Sequence, residues 1–404
     1  METSRPALSA THPQARQLKV ELERANILLG EERQALEEAL QKLRRHDRSQ
    51  AEFIINVSHE LKTPLTAMLH TCRNLLKGIA GPVTPGVEEY LAVFDRECQR
   101  MLKTVNDILD LRKREIGGLT VNRIRIPVRR FIRRAVDAFQ AAATARRIRL
   151  TWLEDSAAGC VQCDPEEIMR IVNNIVDNAI KFSPEGSTVS LWLTPGEPAD
   201  QQIVLSVEDE GPGISEEALK RVTDPYFKAD EHPTGAGLGL TIARELVELH
   251  HGRLTLVSPV PGRTSGTRVE IVFPTAPPPL VLIVDDESLV RMTLSVQLED
   301  GGYRTARAEN GVEALKIARE QKPDMMIVDL ILQEMNGCDL IMEIKSDPEL
   351  RTTPIMSITG GNIDAATRGI LKSFMIPTMY KPWEEAELFD QVETALIGTT
   401  VFRR

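Results

Sequence analysis

The chain has 404 residues, 42% of them hydrophobic and 27% charged, with a formal net charge of −10 at pH 7. At roughly 100–200 residues per domain, this length predicts two to four domains, and the composition excludes a mostly disordered or collagen-like chain. The acidic balance argues against nucleic acid as a partner, because phosphate binding needs a basic surface. No run approaches the ~18 apolar residues of a membrane span, and the N-terminal stretch METSRPALSATHPQARQ lacks the apolar core of a signal peptide, so a cytoplasmic protein with no membrane span is expected. Five cysteines, a low and odd count, fit reduced thiols.

From Leu18 the apolar positions step by four and three through Leu22, Ala25, Leu29, Leu36, Ala39 and Leu43, with Glu32 interrupting the seam. In a stretch rich in Glu, Arg and Gln this spacing predicts an α-helical coiled coil over residues 1–48, a long solvated single helix being the alternative. The stepping goes on through Phe53, Val57, Leu61, Pro64, Met68, Leu75 and Ile79 and stops at Gly81-Pro82. A second run, Val87, Leu91, Phe94, Cys98, Met101, Val105 and Ile108, starts after Pro85 and ends near Gly117-Gly118. Two such helices over 49–116 make a hairpin with too little core to stand alone, which predicts a homodimer paired as a four-helix bundle.

The first helix carries Phe53-Ile54-Ile55-Asn56-Val57-Ser58-His59-Glu60-Leu61-Lys62-Thr63-Pro64-Leu65. At about 100° per residue, His59 lies roughly 200° from the seam residue Val57 and faces solvent, with Thr63 one turn along the same face. Glu60 could hold the imidazole in the tautomer that leaves one nitrogen nucleophilic, and Pro64 lacks the N–H that would tighten the helix below. The thirteen-residue string resembles the phosphoacceptor box of dimeric sensor histidine kinases.

Residues 117–275 change to mixed α and β, with strands predicted at 148–153, 188–193, 203–208, 253–257 and 268–273 and helices at 128–145, 165–182 and 238–250. Asn174, Asn178 and Lys181 share one helix face and could hold Mg²⁺ and phosphate oxygens. Asp209, followed by Glu210-Gly211-Pro212-Gly213, sits after a strand, where a carboxylate can accept from an adenine amino group and glycines admit close approach. Gly235, Gly237, Leu238 and Gly239 open a helix whose N-terminal N–H groups favour phosphate. These motifs, in this order, resemble the N, G1 and G2 boxes of the GHKL (Bergerat) ATP-binding fold, an α/β two-layer sandwich. Ser265-Gly266-Thr267 looks like its later glycine box and Asp224-Pro225-Tyr226-Phe227-Lys228 its F box, with Tyr226 where phenylalanine is commoner. The resemblance implies that Lys228 contacts the γ-phosphate and that Lys228–Thr234 is a nucleotide lid. Cys160-Val161-Gln162-Cys163 has redox spacing but no thioredoxin-like context, so no metal or redox role is assigned to it.

A proline linker over 276–279 marks a domain boundary, and over 280–400 buried strand and helix alternate five times, which predicts a flavodoxin-like doubly wound sheet. Asp285 and Asp286 end its first strand, Asp329 the third, Thr359 the fourth and Lys381 the fifth, so all five meet in one crevice. Three converging carboxylates repel unless a divalent cation holds them, and a Mg²⁺ with oxygens at ~2.1 Å suits them. The set resembles the receiver domain of response regulators. It departs from that pattern at Gln333, where proline is usual, at Phe374-Met375, where Gly-Ala is common, and at Thr378, where an aromatic switch residue is usual.

Taken together, the three sets resemble a hybrid sensor histidine kinase. The resemblance implies that ATP binds with Mg²⁺ at Asn178, that His59 attacks the γ-phosphorus with Glu60 as general base, and that the phosphoryl group passes to Asp329. It also implies that Thr63 orients a water for the reverse, phosphatase activity. Two other readings stand beside this one: an ATP-responsive scaffold or phosphatase-dominant protein without net kinase output, and an ATPase of the same nucleotide-binding class that works by conformational cycling. With no separate sensor domain read in residues 1–50 and no DNA-binding domain after the receiver, output is expected to pass to an external histidine phosphotransfer protein or response regulator, or back onto the kinase.

Overall fold

A computed structural model describes Leu22, Gly30, Arg33, Gln34 and residues 54–58, 60–115, 121–154, 159–196, 201–228, 237–333 and 335–401. Apart from those first four residues, all helical, the segment predicted as a coiled coil lies outside the described residues, as do His59, Gly235 and residues 229–234 of the expected lid. The chain divides into two compact units, 1–119 and 120–404.

In the first unit, residues 54–58 and 60–76 are helical, the latter forming α1, and Pro85–Glu115 form α2. Pro85 opens α2 where a missing N–H costs nothing. Between the helices Gly78 and Gly81 take φ of +72° and +109°, a region that residues with a Cβ avoid. The hairpin closes on Leu65, Cys72, Cys98 and Leu109, all buried. The Cys72 thiol donates to Leu91 O at 3.1 Å and Arg73 pairs with Asp95 at 2.9 Å. The predicted seam therefore splits. Cys98 is buried and Leu91 and Val105 are half-buried, whereas Leu61, Met68, Val87, Phe94 and Met101 remain exposed. One helix covers only one stripe of its neighbour, so the second apolar row has no cover among the described residues.

The second unit begins with β1 (Ile124–Pro127), α3 (Val128–Ala145), β2 (Arg149–Glu154), β3 (Cys160–Cys163) and α4 (Pro165–Phe182). There follow β4 (Thr188–Pro195), β5 (Gln202–Glu208), the single turn α5 (Glu216–Leu219), α6 (Gly239–Leu249), β6 (Arg253–Val257) and β7 (Arg268–Ala276). The strands form a mostly antiparallel sheet in the order β1-β3-β7-β5-β4-β2, and β6 joins β7 along the edge that β3 takes further on. Alternation along β4, β5 and β7 buries Val189, Leu191, Leu193, Ile203, Leu205, Val207, Ile271 and Phe273. Helices α3, α4 and α6 bury Phe131, Ile132, Ile168, Ile171, Ile175, Ile242 and Leu246, each such residue contributing about 1.5–3 kcal/mol. β1 and α5 are elements the sequence reading did not single out, and β7 extends through Thr275 and Ala276.

Past Pro277–Pro279 come β8 (Leu280–Val284), α7 (Ser288–Asp300), β9 (Arg304–Ala308), α8 (Gly311–Gln321), β10 (Met325–Asp329) and α9 (Gly337–Ser346). The chain then continues through β11 (Ile355–Thr359), α10 (Ala365–Ser373), β12 (Thr378–Tyr380) and α11 (Glu385–Val401). The five strands are parallel in the order β12-β11-β10-β8-β9, the flavodoxin-like doubly wound arrangement. Both faces are covered, so β8, β10 and β11 are buried throughout and mostly apolar. Leu282, Val284, Met326 and Val328 pack on one side with Leu340 and Ile341, and Val281, Ile283 and Ile327 on the other with Leu298 and Phe389. Where receivers commonly have a small residue after the fourth helix, Met375 takes φ +52°.

Candidate active site

The first candidate site gathers on the mostly antiparallel sheet of β1–β7. Asp164 caps α4 by accepting from Glu166 N, and Pro165 occupies its first turn. The helix lays Ile168, Ile171 and Ile175 into the core and carries Asn174, Asn178 and Lys181 beside them. Asn174 is buried, and its Nδ2 has no hydrogen-bond partner among the described residues. Gly239 opens α6 against both asparagines, since a Cβ there would lie 3.7 Å from Asn178 Nδ2 and 3.9 Å from Asn174 Cβ. An orphaned buried donor facing a helix N-terminus is a fitting place for phosphate oxygens.

Asp209 follows β5 and is buried. Its Oδ1 accepts from Gly211 N at 2.8 Å and Thr267 N at 3.2 Å, which leaves Oδ2 without a hydrogen-bond partner among the described residues. Burial pushes its pKa up, against the pull of the two N–H groups. Gly266, at φ +86°, has no room for a side chain, because a Cβ would stand 2.5 Å from Asp209 O. Gly211 O accepts from Gly266 N at 2.9 Å. Ser258, which the sequence reading missed, joins the loops: its Oγ accepts from Ile214 N and donates to Gly266 O, both at 2.8 Å, and Gly213 packs against it. A serine after a half-buried strand carries no signal of this role. Glu208 is held by Arg268 at 2.7 Å and by Arg263 at 3.2 Å.

Tyr226, at φ +63°, donates its backbone N–H to Gly237 O at 3.1 Å, which brings these two residues on either side of 227–236 together. Arg244 of α6 reaches Thr223 Oγ1 at 2.7 Å. Leu238 is buried beneath this junction and Lys228 is exposed. On the hairpin, Glu60 and Thr63 are exposed and Ser58 is buried.

The second candidate site lies at the carboxyl ends of β8, β10, β11 and β12. Lys381 Nζ sits 2.7 Å from Asp285 Oδ2 and 2.6 Å from Asp329 Oδ2. Each carboxylate turns its other oxygen to the loop that follows it: Asp285 Oδ1 accepts from Glu287 N at 2.8 Å and Asp329 Oδ1 from Ile331 N at 2.9 Å. Burial works against charge on Lys381, but its bonds to Asp285 and Asp329 outweigh that and raise its pKa. Burial also raises the pKa of Asp285, against the pull of Lys381 and Glu287 N. Asp285, Asp286 and Asp329 bring oxygens within 4.8 Å of one another. Three carboxylates facing one ammonium leave net negative charge, a donor set that fits Mg²⁺. Thr359 is buried beside them, its Oγ1 accepting from Gly361 N at 3.2 Å and its carbonyl from Lys381 N at 2.8 Å.

Cys160 and Cys163 stand three apart on a strand and so point to opposite faces. Burial raises both thiols, Cys160 to about 11.

Residues 49–117 match the family His Kinase A (phospho-acceptor) domain, 163–277 match Histidine kinase-, DNA gyrase B-, and HSP90-like ATPase, and 281–393 match Response regulator receiver domain. A phospho-acceptor hairpin, an ATP-binding domain and a receiver in that order are the architecture of a hybrid sensor histidine kinase. The chain is 26% identical over 419 residues to the sensor histidine kinase TmoS of Ectopseudomonas mendocina, which covers 92% of this chain and 42% of TmoS. It is 30% identical over 314 residues to the sensor histidine kinase GacS of Pseudomonas protegens, covering 72% of this chain and 34% of GacS. It thus spans less than half the length of these curated relatives. The crystal structure of full-length ShkA in complex with AMPPNP aligns over 85% of this chain and 72% of that one, at 22% identity and a TM-score of 0.47. Among the described residues no helix is long and apolar enough to cross a membrane.

Proposed function

We propose that the chain is a protein-histidine kinase that phosphorylates His59 from ATP and passes the phosphoryl group to Asp329. The observation that carries this reading is the coexistence, in one chain with a phospho-acceptor hairpin, of the loops closed around Asp209 and the Lys381–Asp285–Asp329 cluster. Asp209 Oδ2 accepts from the adenine amino group, Asn174, Lys181 and the start of α6 take the phosphates, and Lys228 and the glycines before α6 close over them. A ring nitrogen of His59 then attacks the γ-phosphorus in line as its bond to the ADP oxygen breaks, and Glu60 supports the imidazole. In the second transfer Asp329 Oδ attacks phosphorus, the P–N bond breaks and His59 leaves as a neutral imidazole. Lys381 and Thr359 stand beside Asp329 to receive the new oxygens, so most of the catalysis is positioning and charge neutralisation. Asn178 in one site and Asp285, Asp286 and Asp329 in the other would hold a Mg²⁺, which would add positive charge against the phosphoryl oxygens. Thr63 positions water for the reverse hydrolysis.

The exposed row Leu61, Met68, Val87, Phe94 and Met101 supports a homodimer formed through the hairpin. A histidine phosphotransfer protein or response regulator receives the signal. The test is incubation with [γ-³²P]ATP beside His59→Gln and Asp329→Asn. Acid-labile label should vanish from the first variant while nucleotide binding survives, and should accumulate on His59 in the second. Acid-labile label persisting on His59→Gln would refute the proposal.

A further inference from the structure

The end of the receiver sheet remote from Asp329 makes contacts that neither site uses. Asp324, just before β10, takes Arg125 of β1 at 2.8 Å on Oδ1 and Leu280 N at 2.6 Å on Oδ2. Glu393 of α11, buried to 5% exposure, is shared by two arginines of α3, Arg130 at 3.2 Å and Arg134 at 3.4 Å. The Arg130 guanidinium also lies 3.6 Å from the centroid of the Phe389 ring, which stacks with Tyr303. Ile124 of β1 packs against the receiver core that contains Tyr303 and Phe389, and the Cys160 thiol donates to Gly302 O at 3.4 Å. The charges are one-signed on each side: arginines on the ATP-binding domain, acids on the receiver. Such a pattern fixes register and excludes wrong partners.

An exposed ion pair alone contributes little, but Glu393 is buried with two partners, and the tether adds to it. Only Pro277–Pro279 separate β7 from β8, and Pro279 O accepts from Arg304 N at 2.9 Å. Three prolines extend about 10 Å, which keeps the effective concentration of one face for the other high. The contact covers neither active site. Along β7, Thr267 before its first residue bonds Asp209 while Ala276 at its last pairs with Cys160, roughly 30 Å away. Along β10, Asp324 and Asp329 bracket a strand about 16 Å long.

We propose that this receiver face is a charge-complementary docking surface whose partner is the chain's own ATP-binding domain, and that the receiver stays seated there while nucleotide binds. The surface of α11 around Phe389 and Glu393 is thereby withheld from external partners, which must approach by the phosphoacceptor end. The docking does not rest on the kinase reading, because its test needs no turnover.

Cys160, 3% exposed beneath Gly302, reports on the contact, and Cys163 on the same strand, fully buried, is the internal reference. The full chain is treated with N-ethylmaleimide under native conditions and modification rates are read per cysteine by peptide mass spectrometry. In the wild type Cys160 should react no faster than Cys163. In Arg130→Glu with Arg134→Glu it should react at least ~10-fold faster with Cys163 unchanged, a gain that corresponds to about 1.4 kcal/mol in the opening equilibrium, and adding Glu393→Arg should restore protection. Adding ATP and Mg²⁺ to the wild type should leave the Cys160 rate unaltered. A wild-type Cys160 as reactive as in the charge-reversed chain, or one freed by ATP, overturns the proposal. Should Cys163 open with Cys160, Arg125→Ala decides by the same ratio, and an unchanged ratio there also overturns it.

Discussion

The Thr378 and Ser357 hydroxyls lie 2.7 Å apart across β12 and β11, and Ser357 donates onward to Pro377 O at 3.2 Å. The side chain at the position where receivers commonly place a mobile ring is thus short and held by the neighbouring strand. Tyr380, two residues on, is 53% exposed. Beryllofluoride, which mimics the phosphorylated aspartate, should therefore change hydrogen exchange in Thr359–Lys381 only weakly. Strong changes confined to that segment, read by mass spectrometry on residues 279–404, would show that Thr378 makes no difference.

Lys381→Met leaves Asp285 and Asp329 facing each other in a buried crevice. Removing one partner of such a cluster costs about 3–5 kcal/mol near neutral pH. Lys381 has a raised pKa, so its stabilisation is complete below the ordinary lysine value and is lost only as pH rises through the raised one. In the variant Glu287 N is left to oppose the burial that raises Asp285 without the ammonium's help, and the protonated form then favours the fold as pH falls. Receiver stability, measured by urea unfolding, should rise from about pH 8 to about pH 5 in Lys381→Met and stay flatter in the wild type. A variant with a flat profile would argue against the shared ammonium.

Asp209→Asn keeps an oxygen for Gly211 N and Thr267 N but turns an amide donor towards the adenine amino group. ATP affinity should fall at least ~10-fold, about 1.4 kcal/mol, with little loss of stability. Gly266→Ala forces a Cβ against Asp209 O at positive φ and should cost about 3 kcal/mol in stability as well as binding. Calorimetric titration with ATP and GTP separates the two, and unchanged affinity for both in Asp209→Asn would remove Asp209 from adenine recognition.

His250 is buried where α6 ends. Its Nε2 accepts from Asp164 N at 3.0 Å and its Nδ1 donates to Leu246 O at 2.6 Å, a pattern only the neutral ring satisfies. Burial lowers its pKa first of all, Arg123 and His251 push the same way, and Leu246 O and Asp164 oppose them. A depressed value means the stabilisation is full above the unfolded value of about 6.5 and lost as pH falls below it. Hydrogen-exchange protection factors at the start of α4, which are corrected for the intrinsic slowing of exchange at lower pH, should fall from about pH 6.5 to about pH 5, and His250→Gln should blunt that change. An equal fall in the variant would clear His250 of the effect.

Leu61 and Phe94 sit in the row the hairpin leaves bare. The wild type should sediment as a dimer at micromolar concentration and Leu61→Glu with Phe94→Glu as a monomer, because each buried carboxylate would need a partner the bundle does not offer. A wild-type monomer would refute the pairing.

Sequence periodicity located the strands and the carboxylates at their ends closely, because in a doubly wound sheet strand ends and crevice coincide. The GHKL boxes were equally readable, since each is local: Asp209, Gly211 and Gly213 lie within a few residues. What escaped was long-range. Ser258 works only because Ile214 and Gly266 come to it from either side. Arg125 and Asp324 stand 199 positions apart and Arg130 and Glu393 263 apart, and nothing in either stretch marks its partner. The hairpin seam was legible as apolar stepping, but which row closes on its own chain, Leu65 and Cys72 rather than Leu61 and Met68, depends on packing angles that stepping does not encode.

The three-proline spacer bears on how this chain can be recombined. A foreign receiver spliced after Pro279 would bring its own phosphoacceptor crevice, but nothing would oblige it to carry acids where Asp324 and Glu393 stand. The graft would leave Arg125, Arg130 and Arg134 facing water and Cys160 uncovered, on a leash too short to let the newcomer settle elsewhere. The cassette a chimera has to transplant intact therefore runs from the first strand of the ATP-binding sheet to α11, across the very junction where a cut looks safest on paper.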